Sequence, residues 1–313
     1  MDILIILQQM LTLATMMTIG YYLRKKEWLE KDTYEKISRM VVNIFNPLLI
    51  IDGVINRSFT RQKGNIGENL AFMLVYFVLL FVIGSIISLF LAKKKEERNI
   101  YQLMTMFSNV GFMGIPIITS IYGKESMIYI TFYILGYNVL LYTLGIWLFQ
   151  SEKKDISYGV LLKNMMNPGV VASLLGILLF IWNPPVPQFA KNLCSYMGTA
   201  TVPLSMILIG FSLADTKWRK LFGNVRMLLF VVIKMLVIPI GAALCLKHLE
   251  FSFMIEGIFV LQLGMPVGSI LALMAVENGR DGDICTNGIV LSTLVSVLTI
   301  PVVSIFLKRF KSL

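Results

Sequence analysis

Apolar positions dominate this chain in stretches of roughly 20 residues, the length that crosses a hydrocarbon core as α-helix. Ten stretches stand out, over about 3–23, 36–56, 69–92, 99–121, 127–149, 159–182, 190–213, 225–246, 251–276 and 285–307. The breaks between them are short. Several hold basic clusters: Arg24-Lys25-Lys26, Lys93-Lys94-Lys95, Lys153-Lys154 and Lys217-Trp218-Arg219-Lys220. No soluble domain fits between the stretches, and none alternates apolar and polar as a membrane barrel strand does. The pattern predicts an all-α membrane protein of ten transmembrane helices.

The two halves of this pattern correspond. Helix 2 has Asn46-Pro47 near its centre, and helix 7 has Thr201-Val202-Pro203. Helix 4 contains Asn109-Val110-Gly111-Phe112-Met113-Gly114-Ile115-Pro116, and helix 9 contains Gln262-Leu263-Gly264-Met265-Pro266. Pro116 and Pro266 are 150 residues apart, and Pro47 and Pro203 are 156 apart. A repeat of about 155 residues gives such spacing, and with five helices per half the second half enters the membrane inverted. Residues 1–150 then form the first repeat and 151–313 the second. All four helices are expected to be interrupted at membrane depth. Pro168, Pro239 and Pro301 read as simple kinks.

Proline lacks an N–H, and its ring clashes with the carbonyl one turn back. The peptide groups it frees survive at membrane depth only inside protein or beside a wet cavity. The helix 4 and helix 9 breaks are therefore expected to share a cavity. Half-helix N-termini offer partial positive charge and N–H groups, which suit an anionic group. The candidate binding residues are Asn109, Gly111, Gly114, Pro116, Gln262, Gly264 and Pro266, with Asn43 and Asn46 of helix 2 as further lining.

Composition agrees with the pattern: 57% hydrophobic residues, 15% charged residues and a mean hydropathy of +0.76. The net charge of +10 does not point to nucleic acid, because the basic residues sit between apolar runs. Loops after helices 1, 3, 5, 7 and 9 hold most of the loop Lys and Arg. The other side holds Arg57, Arg61, Lys63, Lys124, Lys191, Lys247 and the terminal Lys308, Arg309 and Lys311. That balance favours both termini outside. Cys194, Cys245 and Cys285 form no CxxC, and His248 falls in a loop, so neither zinc nor histidine chemistry is expected. The first helix lacks a basic leader and cleavage site and reads as retained.

Ionisable residues at membrane depth are functional candidates. Lys234 lies mid-helix 8, as a countercharge for an anion, a partner for Asp52 or Glu256, or a snorkelling lysine. Asp52 and Glu256 lie nearer helix ends and are candidates for charge coupling. Glu277, Asp281 and Asp283 read as mouth or loop residues. Ser292, Thr293 and Ser296 either help hold a cation or pack helices together.

The motifs around the breaks resemble the auxin efflux carrier family, which includes plant PIN-type carriers and bacterial malate or malonate permease-like proteins. The resemblance is carried by Ser108 to Pro116, by Gln262 to Pro266 followed by Ala275-Val276-Glu277-Asn278-Gly279, by Asn43-Ile44-Phe45-Asn46-Pro47-Leu48-Leu49, and by Leu291 to Pro301. It implies a scaffold of helices 1, 2, 6 and 7, a transport domain of the other six, and unwound helices crossing at Pro116 and Pro266. It also implies Asn109 as a substrate ligand, Gln262 as its counterpart, and a homodimer. The connection of about Ser151 to Tyr158 lacks the long loop of many plant members.

The sequence thus predicts a secondary transporter of a small organic anion, a carboxylate, working by alternating access in a bacterial inner or plasma membrane. Proton or sodium coupling is open and no other cofactor is expected. With no GxxxxGK[ST], HExxH or buried acid pair, no enzyme is expected. An organic-anion channel or uniporter, or a membrane sensor, are the alternatives.

Overall fold

A computed structural model describes residues 3–56, 66–150, 167–216, 221–247, 249, 251–277 and 282–311. Arg57, Arg61, Lys63, the 151–158 connection, the 217–220 cluster, His248, the Asn278-Gly279 motif end, Asp281 and the side chain of Glu277 lie outside the described set. Within it the secondary structure is helical, apart from one isolated antiparallel bridge.

The first half holds α1 (Ile3–Lys25), α2 (Lys31–Met40), α3 (Asn46–Ile55), α4 (Ile66–Leu91), α5 (Lys95–Met106), α6 (Ile115–Tyr122), α7 (Met127–Leu140) and α8 (Ile146–Gln150). The second holds α9 (Pro168–Trp182), α10 (Gln188–Ala214), α11 (Val225–Val232), α12 (Ile238–Leu246), α13 (Phe253–Leu263), α14 (Ile270–Glu277) and α15 (Asp283–Lys311). Among the described residues there are four π turns: Val41–Phe45, Leu141–Gly145 and Ile233–Val237 join α2–α3, α7–α8 and α11–α12 without a break, and Val110–Gly114 leads into α6.

Helix lies in each of the ten apolar stretches. Among the described residues seven continuous helical runs are long and apolar enough to cross a membrane: Leu4–Lys25, Lys31–Ile55, Ile66–Leu91, Lys124–Phe149, Gln188–Ala214, Val225–Leu246 and Asp283–Lys308. Val110–Tyr122, Pro168–Trp182 and Phe253–Leu263 are shorter apolar helices. Two of these three border a chain break.

Interruption was expected in four helices and occurs in two. Helix 2 runs from Lys31 to Ile55 through a π turn, and α10 passes Pro203 unbroken. The reason is local. Pro47, Pro116 and Pro239 each stand two residues beyond a π turn. The carbonyl each ring would strike, four residues back, then belongs to a turn already widened away from α geometry. Pro168 is not a kink but the first residue of α9, and Pro301 sits inside unbroken α15.

The helices are apolar inside and out. In α4, Phe72, Tyr76, Phe77 and Leu80 are buried, while Leu74, Val78, Leu89 and Phe90 are exposed. Such a helix suits a lipid surround. One set of contacts joins α1 to α10 and α3 to α9 and α10. A second joins α4 to α5, α7 and α13, and α15 to α5, α11, α12 and α14. The sets meet where α6 and α15 pack on α1 and where α7 packs on α9.

The α1–α10 contact is backbone against backbone. A Cβ on Gly20 would run into the Ile207 carbonyl, and one on Gly210 into the Met17 carbonyl. Only residues without a side chain allow that approach. Arg24, at the end of α1, pairs with Asp215, just past α10, at 2.9 Å, so those two ends share one face of the molecule.

Gly210→Ala is expected to destabilise the protein by about 1–3 kcal/mol or more, because its methyl meets backbone that cannot turn aside. Gly241→Ala, with open space at its Cβ, should stay within about 1 kcal/mol of wild type. Unfolding of the purified protein in mixed micelles measures both. A neutral Gly210→Ala would show that the helices are not in backbone contact.

Candidate substrate site at a helix crossing

The sequence stops α5 and α13 in different ways. After Met106, Phe107 leaves the helix (φ −103°, ψ 82°), and Asn109 opens the next segment as its N-cap, its Oδ1 accepting the Phe112 N–H at 3.2 Å. Helix α13 ends at Leu263. Gly264 and Met265 make a last turn of hydrogen bonds back to Val260, Leu261 and Gln262, and Pro266 cannot extend it.

The two interrupted segments meet. Ser108 and Val267 form the antiparallel bridge. The Asn109 N–H donates to the Pro266 carbonyl at 2.7 Å, and the Gly268 N–H to the Phe107 carbonyl at 2.8 Å. The Val267 N–H donates to Ser292 Oγ of α15 at 3.0 Å. Gly268 has to be bare, because a Cβ there would lie 2.7 Å from Tyr137 Oη and 3.0 Å from the Phe107 carbonyl. The peptide groups at the breaks therefore pair largely with each other. The crossing lies at Ser108–Asn109 and Pro266–Val267; Pro116, expected at the crossing, lies further along, buried in α6.

Beside the crossing is a pocket of about 610 Å³, open mouth included. Asn109, Gly111, Asn43 and Asn46 line it, as the sequence suggested. Three helix starts border it: the π turn at Val110 that leads into α6, α9 at Pro168, and α14 at Ile270. Asn167 caps α9, its Oδ1 accepting the Val170 N–H at 3.0 Å. Among the described residues that line it there is no Asp, Glu, Lys, Arg or His. Asn109 is 5% exposed and its Nδ2 has no partner; Asn46 Oδ1, facing Gly111, also has none.

Gly114, Pro116, Gln262, Gly264 and Pro266 do not line the pocket. Gln262 is fully buried, and its side-chain amide lies against the bare Gly114, with neither amide atom hydrogen-bonded. Gly264 packs on Pro239. Pro266 contributes its carbonyl. Lys234 pairs with neither proposed acid: it is fully buried, and its Nζ donates to the Thr105 carbonyl at 2.9 Å and to Ser108 Oγ at 2.8 Å. Asp52 accepts a hydrogen bond from Asn56, which also donates to the Lys191 carbonyl. Glu256 is buried in the first turn of α13. Ser292 holds the crossing loop, Ser296 donates to the Thr293 carbonyl, and Thr293 Oγ1 is buried without a partner.

Sequence reasoning missed Tyr137, Asn138, Tyr142, Asn167 and Ser269 as lining residues. One signal was available: Asn167-Pro168 is an N-cap followed by a proline at the first helical position. Asn138 is brought to the same place by packing, its amide 3.0–3.1 Å from where a Cβ of Gly169 would stand.

A family model described as a membrane transport protein matches residues 5–304. An uncharacterized transporter of Methanothermobacter thermautotrophicus is 25% identical over 303 residues, 96% of this chain and 98% of its own length. An uncharacterized transporter of Methanocaldococcus jannaschii is 22% identical over 298 residues, 93% of this chain and 95% of its own.

Ser292→Ala should destabilise the fold by about 1–3 kcal/mol, because it strands the buried Val267 N–H. Unfolding in mixed micelles reads the loss. Stability equal to wild type would mean that this hydroxyl does not hold the crossing.

Proposed function

Since the chain belongs to the membrane transport protein family, the auxin efflux carrier-like group, and is a multi-pass transporter and not an enzyme, we propose that it is a secondary transporter of a small organic anion, a carboxylate, working by alternating access. The observation that carries this reading is the pocket: three helix starts converge on it, with amide and hydroxyl groups and no formal charge among the described lining residues. Helix starts attract carboxylate oxygens through their N–H groups and partial positive charge. The unpartnered Nδ2 of Asn109 supplies a further donor.

In this reading the chain crosses the membrane ten times, as two inverted halves over 1–150 and 151–313. The antiparallel meeting of the two breaks is what inverted repeats would produce. The group α1, α2, α3, α9 and α10 acts as scaffold, and the rest moves against it. The pocket has walls from both groups, Asn43, Asn46 and Asn167 on one and Asn109 and Ser269 on the other. Relative motion of the groups would open it to each side in turn. Both termini lie outside, the chain pairs as a homodimer, and a proton, sodium or voltage gradient drives transport.

Counterflow in proteoliposomes tests the reading. A panel of mono- and dicarboxylates is screened by thermal shift, and those that stabilise the protein are assayed for exchange of labelled against unlabelled compound. Exchange supports a carrier. Flux without exchange identifies a channel, and binding without flux a sensor. Asn109→Ala is expected to weaken carboxylate binding by about 10- to 100-fold, the loss of one hydrogen bond to a charged group, with stability lowered only by the about 0.5–2 kcal/mol of a lost N-cap. Undiminished affinity in that variant removes Asn109 from the site.

A further inference from the structure

Among the described residues two charged side chains are almost wholly buried, Glu256 at 1% exposed and Lys234 at 0%. Lys234 sits in the Ile233–Val237 π turn, and its two acceptors lie in the last turn of α5, at Thr105, and two residues past its end, at Ser108. The Thr105 carbonyl is one of the last four of that helix, which have no partner within it. The ammonium therefore caps the negative end of an interrupted helix. Ser108, its other acceptor, is the bridge residue opposite Val267 and also lines the pocket. No described carboxylate lies within 4.0 Å of Lys234 as an ion pair. Its charge is offset by the α5 end alone, one hydroxyl away from the place where an anion would sit.

We propose that Lys234 is the built-in countercharge of the transported anion, a positioning residue that acts through Ser108 without touching the substrate. It is tied to the crossing by two hydrogen bonds, so whatever carries the crossing between membrane faces carries this charge as well. Lys234 then adds plus one to the charge that moves, whether the carrier is loaded or empty. In the loaded carrier this contribution offsets the charge of a monocarboxylate, and in the empty carrier it has no substrate charge to offset. The inference rests on the alternating-access reading. Glu256, in the first turn of α13, adds the same contribution with or without a cation at 234.

Charge displaced by voltage steps across membranes holding the full chain, with no carboxylate present, reads the empty carrier directly. Lys234→Met should displace less positive charge than wild type, by up to about one elementary charge per carrier. Lys234→Arg should match wild type. Equal displacement in wild type and in a Lys234→Met that still performs counterflow overturns the proposal. Glu256→Gln gives a second measurement that does not depend on the Lys234 variants folding. With the other buried charge gone, its empty carrier should move positive charge, and zero or negative displacement there also overturns the proposal. Failure of the transport reading has a different signature: no carboxylate exchanges and no form of the protein displaces charge, which removes both.

Discussion

A peptide group without a hydrogen-bond partner costs several kcal/mol in hydrocarbon, and this structure meets that constraint by making two interrupted helices satisfy one another. The Asn109 N–H reaches the Pro266 carbonyl, and the Gly268 N–H reaches the Phe107 carbonyl. What the two strands cannot supply comes from neighbours: Ser292 takes the Val267 N–H, Lys234 takes the Thr105 carbonyl, and the Tyr76 hydroxyl donates to the Gln262 carbonyl at 3.4 Å. Neither break is self-sufficient. The first half of the chain needs the second before its fourth helix can be interrupted at all, so the pocket beside the crossing exists only in the assembled fold.

The same constraint explains the pocket's chemistry. A formal charge at membrane depth is expensive, and a bare lysine in the pocket would have to be paid for whenever the site is empty. Helix starts and asparagines provide electrostatic attraction without that burden. In the proposed cycle, partial charges would also hold an anion loosely enough to release it at each face. Lys234 fits this arrangement because its charge is kept behind the wall, hydrogen-bonded to a carbonyl and a hydroxyl.

The break in helix 9 was legible because Gly264 and Pro266 stop the helix through local chemistry, whereas the break in helix 4 falls at Phe107–Asn109, just ahead of the glycines and Pro116 that pointed to it. Asn109 was legible through local chemistry too, as a cap residue at the head of such a break. The expectation for helices 2 and 7 failed because proline only forbids one hydrogen bond and one contact. A π turn ahead of Pro47 absorbs both, and α10 continues through Pro203. Asn138 and Tyr137 could not be read, since ordinary positions on α7 become pocket lining only when α9 packs beside them. For Lys234 the partners that the sequence offered were acids, Asp52 or Glu256, because acids are visible as residue types. Its partners are a helix-end carbonyl and the hydroxyl of Ser108, which the sequence showed only as the start of a motif. A carbonyl has no letter in the sequence, and the role of Ser108 showed itself only once the crossing placed it.

The π turns draw these threads together. A π turn widens the helix, shifts the hydrogen-bond register and turns the side chains that follow. Of the four among the described residues, three line the pocket: Val41–Phe45 through Val42 and Asn43, Val110–Gly114 through Val110, Gly111 and Phe112, and Leu141–Gly145 through Tyr142. The fourth, Ile233–Val237, carries Lys234 to the crossing. Proline explains three of them, since Pro47, Pro116 and Pro239 stand at the same offset; no proline follows Leu141–Gly145 at that offset. Two of these prolines thus act where the pocket forms and one where Lys234 is held. Their role is to loosen the helices that surround the site while leaving them continuous, so that the complete interruptions are confined to the two strands that can pair with each other.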